Sequence, residues 1–277
     1  MALLRELNIS PRHDPDGESQ AFYSAFYNYS SRDEKNRERE NREDSPDESR
    51  ASLIQRVHPF IEALPEGMRV LDLGAGREIF EKEYEDTYVK PKCEIVPLDI
   101  AEISKERLLT KDYPHIRATG RSLPFKKDSF GMVISNLAFD FMLPEALPEL
   151  NRVIKPGGLI FLNLHHPSLL RYDIDNELVQ TLRKIGHDRK FKRKVSEKLL
   201  LKRAVLLYHR QLRDDKSLFE SEGQIKSYFT NGGFDVLTVG TKSDLRDKWW
   251  EVDLVKKLPS QVQPLNPNGV IFQLSAT

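Results

Sequence analysis

The sequence predicts an α/β fold, a mostly parallel sheet with helices on both faces. From residue 53 onward, short apolar runs alternate with amphipathic stretches, the pattern of repeated strand–helix units. The run at 69–73 passes directly into Gly74-Ala75-Gly76, which is how a buried parallel strand ends at a ligand loop. With 277 residues, 39% hydrophobic and 31% charged, the chain suits one large soluble domain with solvated appendages.

Charge and cysteine usage narrow the function classes. The formal net charge is zero, so no global field selects nucleic acid or a membrane surface, and any preference is local. The one cysteine, Cys93, rules out an internal disulfide and suits a reducing, cytoplasmic compartment. The first ten residues hold no continuous apolar core, and nowhere do about 18 apolar residues run together. Neither a secretion signal nor a membrane span is expected.

Residues 1–50 form an N-terminal arm. Its aromatic cluster, Phe22, Tyr23, Phe26, Tyr27 and Tyr29, fits one face of a short helix, either packed on an outer surface or acting as a lid. The stretch 31–50 interleaves both charge signs and reads as a solvated helix or a disordered arm. The main domain, 51–277, opens with a helix at 53–64, a turn at Pro65-Glu66-Gly67 and a strand at 69–73. A strand at 93–98 ends at Asp99; a helix follows at 103–109, then an edge strand at 116–119 and a strand at 132–135. A helix at 143–153 leads through the turn Lys155-Pro156-Gly157-Gly158 into a strand at 159–164. An insertion at about 170–215 breaks the alternation; it includes a basic segment, 183–203, and a strand at 204–209. A helix at 222–229 and strands at 234–239, 249–255 and 270–274 close the domain.

The strongest signal is Val70-Leu71-Asp72-Leu73-Gly74-Ala75-Gly76. Glycines at a strand end let a ligand approach the backbone with no Cβ in the way, although a purely structural tight turn uses them too. A nicotinamide-dinucleotide site needs a third glycine for the helix beneath the pyrophosphate, and position 79 is Ile79. That leaves a smaller ligand, flanked by Asp72 and by Asp99 at the next strand end. A carboxylate there can accept from both ribose hydroxyls of a nucleoside. The acid pair suits a nucleoside joined to a cation.

Over residues 52–170 this order of parts resembles a class I (Rossmann-like) S-adenosylmethionine-dependent methyltransferase of the small-molecule type. The resemblance implies a seven-stranded sheet, an N-terminal helical lid and an insertion after the fifth strand. It implies S-adenosyl-L-methionine as cofactor, with Asp72, Gly74, Ala75 and Gly76 at its methionine end and Asp99 and Ile100 at its ribose. Gly120-Arg121-Ser122 resembles the adenine-side segment, Asn136 and Leu137 the loop beside the cofactor, and Tyr27 falls in the lid. The family often has an acid where Thr119 stands, and a small residue where Arg77 or Glu78 stands. Backbone groups of Gly120 and Arg121 can take over the adenine contact.

Methyl transfer asks the protein for position and water exclusion, and, for a hydroxyl or ammonium acceptor, for a base. His166 is the first candidate, since it follows the fifth strand at the ligand end; His165 and Asp140 come next, then His209 and Arg210. No catalytic metal is expected, although Asp140, Asp173, Asp175 and Asn176 carry oxygen ligands. The expected acceptor is an oxygen or nitrogen of a small molecule or peptide-like metabolite, without nucleic acid or membrane. The alternatives are an RNA or protein methyltransferase using segment 183–203, or a non-catalytic cofactor-binding protein.

Overall fold

The computed structural model describes residues 19–21, 23, 24, 27, 48–110, 112–168, 219–243 and 248–258. The elements run α1 (Glu48–Ala63), β1 (Arg69–Leu73), α2 (Ile79–Thr87), β2 (Glu94–Asp99), β3 (Ile116–Arg117) and β4 (Phe130–Asn136). They continue with α3 (Ala146–Val153), β5 (Ile154–His165), α4 (Glu222–Asn231), β6 (Phe234–Ser243) and β7 (Lys248–Lys256). The strands form one seven-stranded sheet in the order β3-β2-β1-β4-β5-β7-β6. The first five in that order pair in parallel, while β7 enters antiparallel between β5 and β6. The order reverses between β1 and β4, and a crevice opens at the carboxyl ends of strands where that happens.

Strand alternation splits the core into two layers. Val70, Ile95, Met132, Ile134 and Phe161 face Leu53, Val57 and Ile61 of α1 and Phe80 and Tyr84 of α2. Leu71, Leu73, Val133 and Leu162 face the other way, against Leu147 and Leu150 of α3 and Ile225 and Phe229 of α4. Because the period is two, Asp72, Asp99, Asn136, Asn163 and His165 all fall on the α1 face, near the carboxyl ends. The fold therefore gathers polar side chains along one rim.

Several boundaries differ from expectation. Helix α2 was not foreseen: only Phe80 and Tyr84, four residues apart, mark an apolar face amid charges. The helix expected at 103–109 is a single 3₁₀ turn, Lys105–Arg107, with no buried residue to hold a longer one. The 143–153 helix begins only at Ala146, after a separate 3₁₀ turn at Phe139–Met142. The turn expected at Lys155-Pro156-Gly157-Gly158 is absorbed into β5, as an irregularity in its pairing with β4. The edge strand is shorter than expected, and α4 is longer and capped at Ser221, whose side chain accepts from the Gln224 N–H at 3.3 Å. The strands expected at 204–209 and 270–274, the basic segment, His209, Arg210, Asp173, Asp175, Asn176, Phe22, Phe26 and Tyr29 lie outside the described residues. Among the described residues no helix is long and apolar enough to cross a membrane, and no group of acids, histidines and cysteines could hold a metal ion.

Candidate active site

The glycine loop is tied to the end of β2. The Gly74 and Ala75 N–H groups both donate to the Leu98 carbonyl, at 2.8 and 3.0 Å. The Gly76 N–H donates to Asp99 Oδ2, and the Ala101 N–H to Oδ1, both at 2.8 Å. Asp99 thus spans the strand end, and each oxygen retains a lone pair for a further donor. Ile100 follows it, half-buried.

Packing explains both glycines. Gly74 has φ +85°, and a Cβ there would lie 2.3 Å from the Ala138 Cβ. A Cβ on Gly76 would come within 2.7 Å of the Tyr27 hydroxyl. Gly74 therefore accommodates the loop after β4, and Gly76 lies against the N-terminal aromatic segment. Tyr27 stacks with Tyr23 at 6.2 Å, and Ser24 Oγ accepts from the Glu102 N–H at 2.7 Å, so this segment covers the loop. Burial, then the charge of Asp99, pushes the Tyr27 hydroxyl well above its ordinary value.

Where the resemblance calls for a small residue, Glu78 adopts φ +64°. Its buried carboxylate accepts from Thr110 Oγ1 and lies 3.1 Å from His115 Nδ1. Those contacts offset the cost of a left-handed backbone at a non-glycine residue. The loop keeps the conformation a glycine would give it, and the side chain is held by Thr110 and His115.

The floor is acidic. Asp72, Glu78, Glu81 and Asp99 are all buried. Burial raises the Asp72 carboxyl from 3.8 to about 7, a hydrogen-bonding contact with Glu81 lowers it, and the charge of Asp99 raises it again. Burial and then Asp72 raise Glu81 well above the usual carboxylate range. Asp99 is raised by burial and partly restored by the Ala101 and Gly76 N–H groups.

In the segment that the resemblance assigns to the adenine, Gly120 packs against Met142, whose sulfur would lie 2.3 Å from an added Cβ. The Arg121 N–H donates to Thr119 Oγ1 and the Ser122 N–H to the Thr119 carbonyl, both at 3.2 Å. The Arg121 guanidinium bridges Glu145 at 3.3 Å and the Phe141 carbonyl at 3.3 Å. Thr119 thus holds this segment through its hydroxyl and its carbonyl. Asn136 Oδ1 accepts from Asn163 Nδ2 at 2.9 Å and from Ser49 Oγ at 3.2 Å. Leu137 turns at φ +54° and donates to the Asn163 carbonyl at 2.8 Å.

Across β5 the structure joins two of the candidate catalytic residues. Asp140 Oδ2 accepts from the His165 N–H at 2.9 Å and lies 2.9 Å from His165 Nδ1. Burial alone would raise Asp140, but the charge and hydrogen bonds of His165 outweigh it and hold the carboxyl below its ordinary value. His166 is engaged differently: Nδ1 accepts from the Ser168 N–H at 3.1 Å, and its ring packs on Trp250 at 4.9 Å.

Sequence reasoning did not single out the polar cluster beside this pair. Arg56 of α1 reaches Asn163 and Asp253 and lies 3.8 Å from Glu251, which also accepts from Ser52. A legible trace existed in β5, where Phe161, Asn163 and His165 alternate with leucines; its partners on β7 and α1 carry no local signal.

Residues 71–162 match the family model described as a methyltransferase domain. Over 123 residues the chain is 35% identical to the malonyl-[acyl-carrier protein] O-methyltransferase of Halorhodospira halophila, covering 42% of this chain and 38% of that protein. The chain thus spans about two fifths of the length of the curated relatives it matches. Among solved structures, a chain of the complex between the Haloferax volcanii Trm112 methyltransferase activator and a methyltransferase superposes with TM-score 0.54 at 16% identity, covering 87% of this chain and 98% of that one. The Burkholderia thailandensis 1,6-didemethyltoxoflavin-N1-methyltransferase gives 0.52 at 11% identity, with 90% and 93% covered. At these identities the two structures bear on the fold alone. The matched segment, which carries the glycine loop and the strand-end acids, is similar to a methyltransferase domain, and the seven-stranded sheet built around it has the class I, Rossmann-like fold of S-adenosylmethionine-dependent methyltransferases.

Proposed function

We propose that the chain transfers a methyl group from S-adenosylmethionine to an oxygen or nitrogen of a small molecule or peptide-like metabolite. The observation that carries the acceptor half of this reading is the buried Asp140–His165 pair at the carboxyl edge of β5, on the same face as Asp72 and Asp99.

The cofactor residues fit such a ligand. Asp99 has acceptor capacity for ribose hydroxyls beyond its two backbone contacts. Asp72 Oδ2 is buried without a hydrogen-bond partner among the described residues, and the ammonium of a methionine end would supply one. When bound, the sulfonium supplies an electrophilic methyl carbon. Tyr27, over Gly76, excludes water from the loop. In the tautomer that donates from Nδ1 to Asp140, His165 has its basic nitrogen at Nε2, and an ionised Asp140 holds that tautomer. His165 then takes the proton of a hydroxyl or ammonium acceptor. His166, with Nδ1 turned to Ser168, is the weaker candidate.

The similarity to a malonyl-[acyl-carrier protein] O-methyltransferase makes a carrier-bound malonyl group the first oxygen acceptor to try. The test is a mass-shift screen with methyl-labelled cofactor against carboxylates, alcohols and amines, including that thioester. Label transferred to one class identifies the acceptor atom. Cofactor binding with no transfer to any class would leave a binding protein and defeat the proposal.

A further inference from the structure

Asp72, near the end of β1, and Glu81, in the first turn of α2, are both buried, and each carboxyl acts on the other through its charge and as a hydrogen-bonding neighbour. Among the described residues, Asp72 Oδ2 and both Glu81 oxygens are buried without a hydrogen-bond partner. Two carboxylates offer each other no donor, so such a contact becomes a hydrogen bond only when one of them keeps its proton.

Among the described residues no cation pairs directly with either carboxyl. Asp99 and Glu78 face the pair with further negative charge. Arg50 and His115 are the basic side chains whose charge acts on Asp72, and each has a carboxylate partner elsewhere: Arg50 lies 2.9 Å from Glu83 and His115 3.1 Å from Glu78. The other titratable groups nearby, Tyr27 and Tyr113, are neutral phenols held above their ordinary values, chiefly by burial. A buried acid pair without its own counter-ion is costly unless a proton or a ligand neutralises it. The resemblance places this loop under the methionine end of the cofactor, which brings an ammonium group.

We infer that Asp72 and Glu81 form a proton-for-cation exchange site, which shares one proton when empty and releases it to solvent when a cationic methionine end binds. Glu81 thereby enters the site as a positioning residue, acting through Asp72. The inference rests on the proposed cofactor, and its consequence is distinct: affinity for S-adenosylmethionine rises with pH through the range where the pair titrates. 5′-Methylthioadenosine, which lacks the amino acid end, binds without that dependence.

Calorimetry in buffers of different ionisation enthalpy, at about pH 6 and about pH 8, reads the exchange directly. The expected result is release of about one proton per S-adenosylmethionine at the lower pH, falling toward zero at the higher, and none with 5′-methylthioadenosine. Glu81→Gln abolishes the release and flattens the pH dependence, while 5′-methylthioadenosine affinity is unchanged; Glu81→Met serves if the glutamine variant is unstable. Cofactor binding without proton release overturns this inference and leaves the cofactor reading standing. Failure of S-adenosylmethionine to bind at either pH overturns both. A carboxyl-carbon NMR titration of the ligand-free wild-type protein tests the shared proton independently: one acid titrating near neutrality supports it, and both titrating in the ordinary carboxylate range overturns it.

Discussion

Asp140 and His165, 25 residues apart in sequence, are held together twice: one carboxylate oxygen accepts from the His165 backbone N–H and faces its Nδ1, both at 2.9 Å. The backbone contact fixes where the carboxylate sits, and the ring contact fixes how the imidazole is turned. An imidazole oriented by a buried anion is the arrangement a positioned base requires.

His165→Ala should therefore lower turnover of a hydroxyl or amine acceptor by about 100-fold to 10,000-fold, with little change in cofactor affinity. Asp140→Asn should do less harm, since the ring remains but its tautomer is no longer enforced. Steady-state kinetics beside cofactor calorimetry check this. Unchanged turnover of an amine or alcohol in a folded His165→Ala protein would remove the base role. A carboxylate acceptor, which needs no deprotonation, should show only a small effect.

Asp99→Ala should weaken S-adenosylmethionine binding by about 1.5–3 kcal/mol, the scale of a charge-assisted hydrogen bond. Part of the loss arises inside the protein, because Gly76 and Ala101 lose the acceptor of their N–H groups. Asp99→Asn separates the two contributions: its remaining oxygen can serve one of those amides but no longer both. Equal affinities in wild type and Asp99→Ala would take Asp99 out of the site.

Gly74→Ala should destabilise the fold by about 1–3 kcal/mol even without ligand, from backbone strain at positive φ and a clash with Ala138. Thermal unfolding measures it. Combining it with Ala138→Gly should recover the part due to the clash and leave the part due to φ. Full stability in the single variant would mean that the loop and the turn after β4 separate more easily than their packing indicates.

Asp72 sets the sign of a pH effect on stability. Its carboxyl is raised from 3.8 to about 7 on folding, chiefly by burial, so the native state holds the proton over that interval and the unfolded chain does not. Its contribution is fully present below about pH 4 and is lost as pH climbs to about 7. Asp140, held below its ordinary value, acts oppositely, and its contribution is lost only as strong acid is approached. The ligand-free protein should lose thermal stability between pH 4 and 7, and Asp72→Asn should flatten that decline. A profile identical in both proteins would show that Asp72 is not the group responsible.

The sequence by itself determined the parallel sheet, the glycine loop and the strand-end acids. Each is written in local pattern: apolar runs of strand length, glycines where φ turns positive, and a carboxylate where a strand stops. Helix α2 was hidden because its buried face needs only Phe80, Glu81 and Tyr84, and a buried glutamate reads as a solvated one until its neighbours are known. The different partners of His165 and His166 were equally out of reach, since Asp140 arrives at His165 from the turn after β4 and Trp250 at His166 from β7. Tertiary structure alone decided that Gly74 makes room for Ala138, that Glu78 takes a glycine-like conformation tied to Thr110 and His115, and that Asp72 meets Glu81. The physical reason is shared: backbone preferences act over a few residues and leave a periodic trace, whereas the charge state and orientation of a buried side chain are set by groups brought from distant parts of the chain.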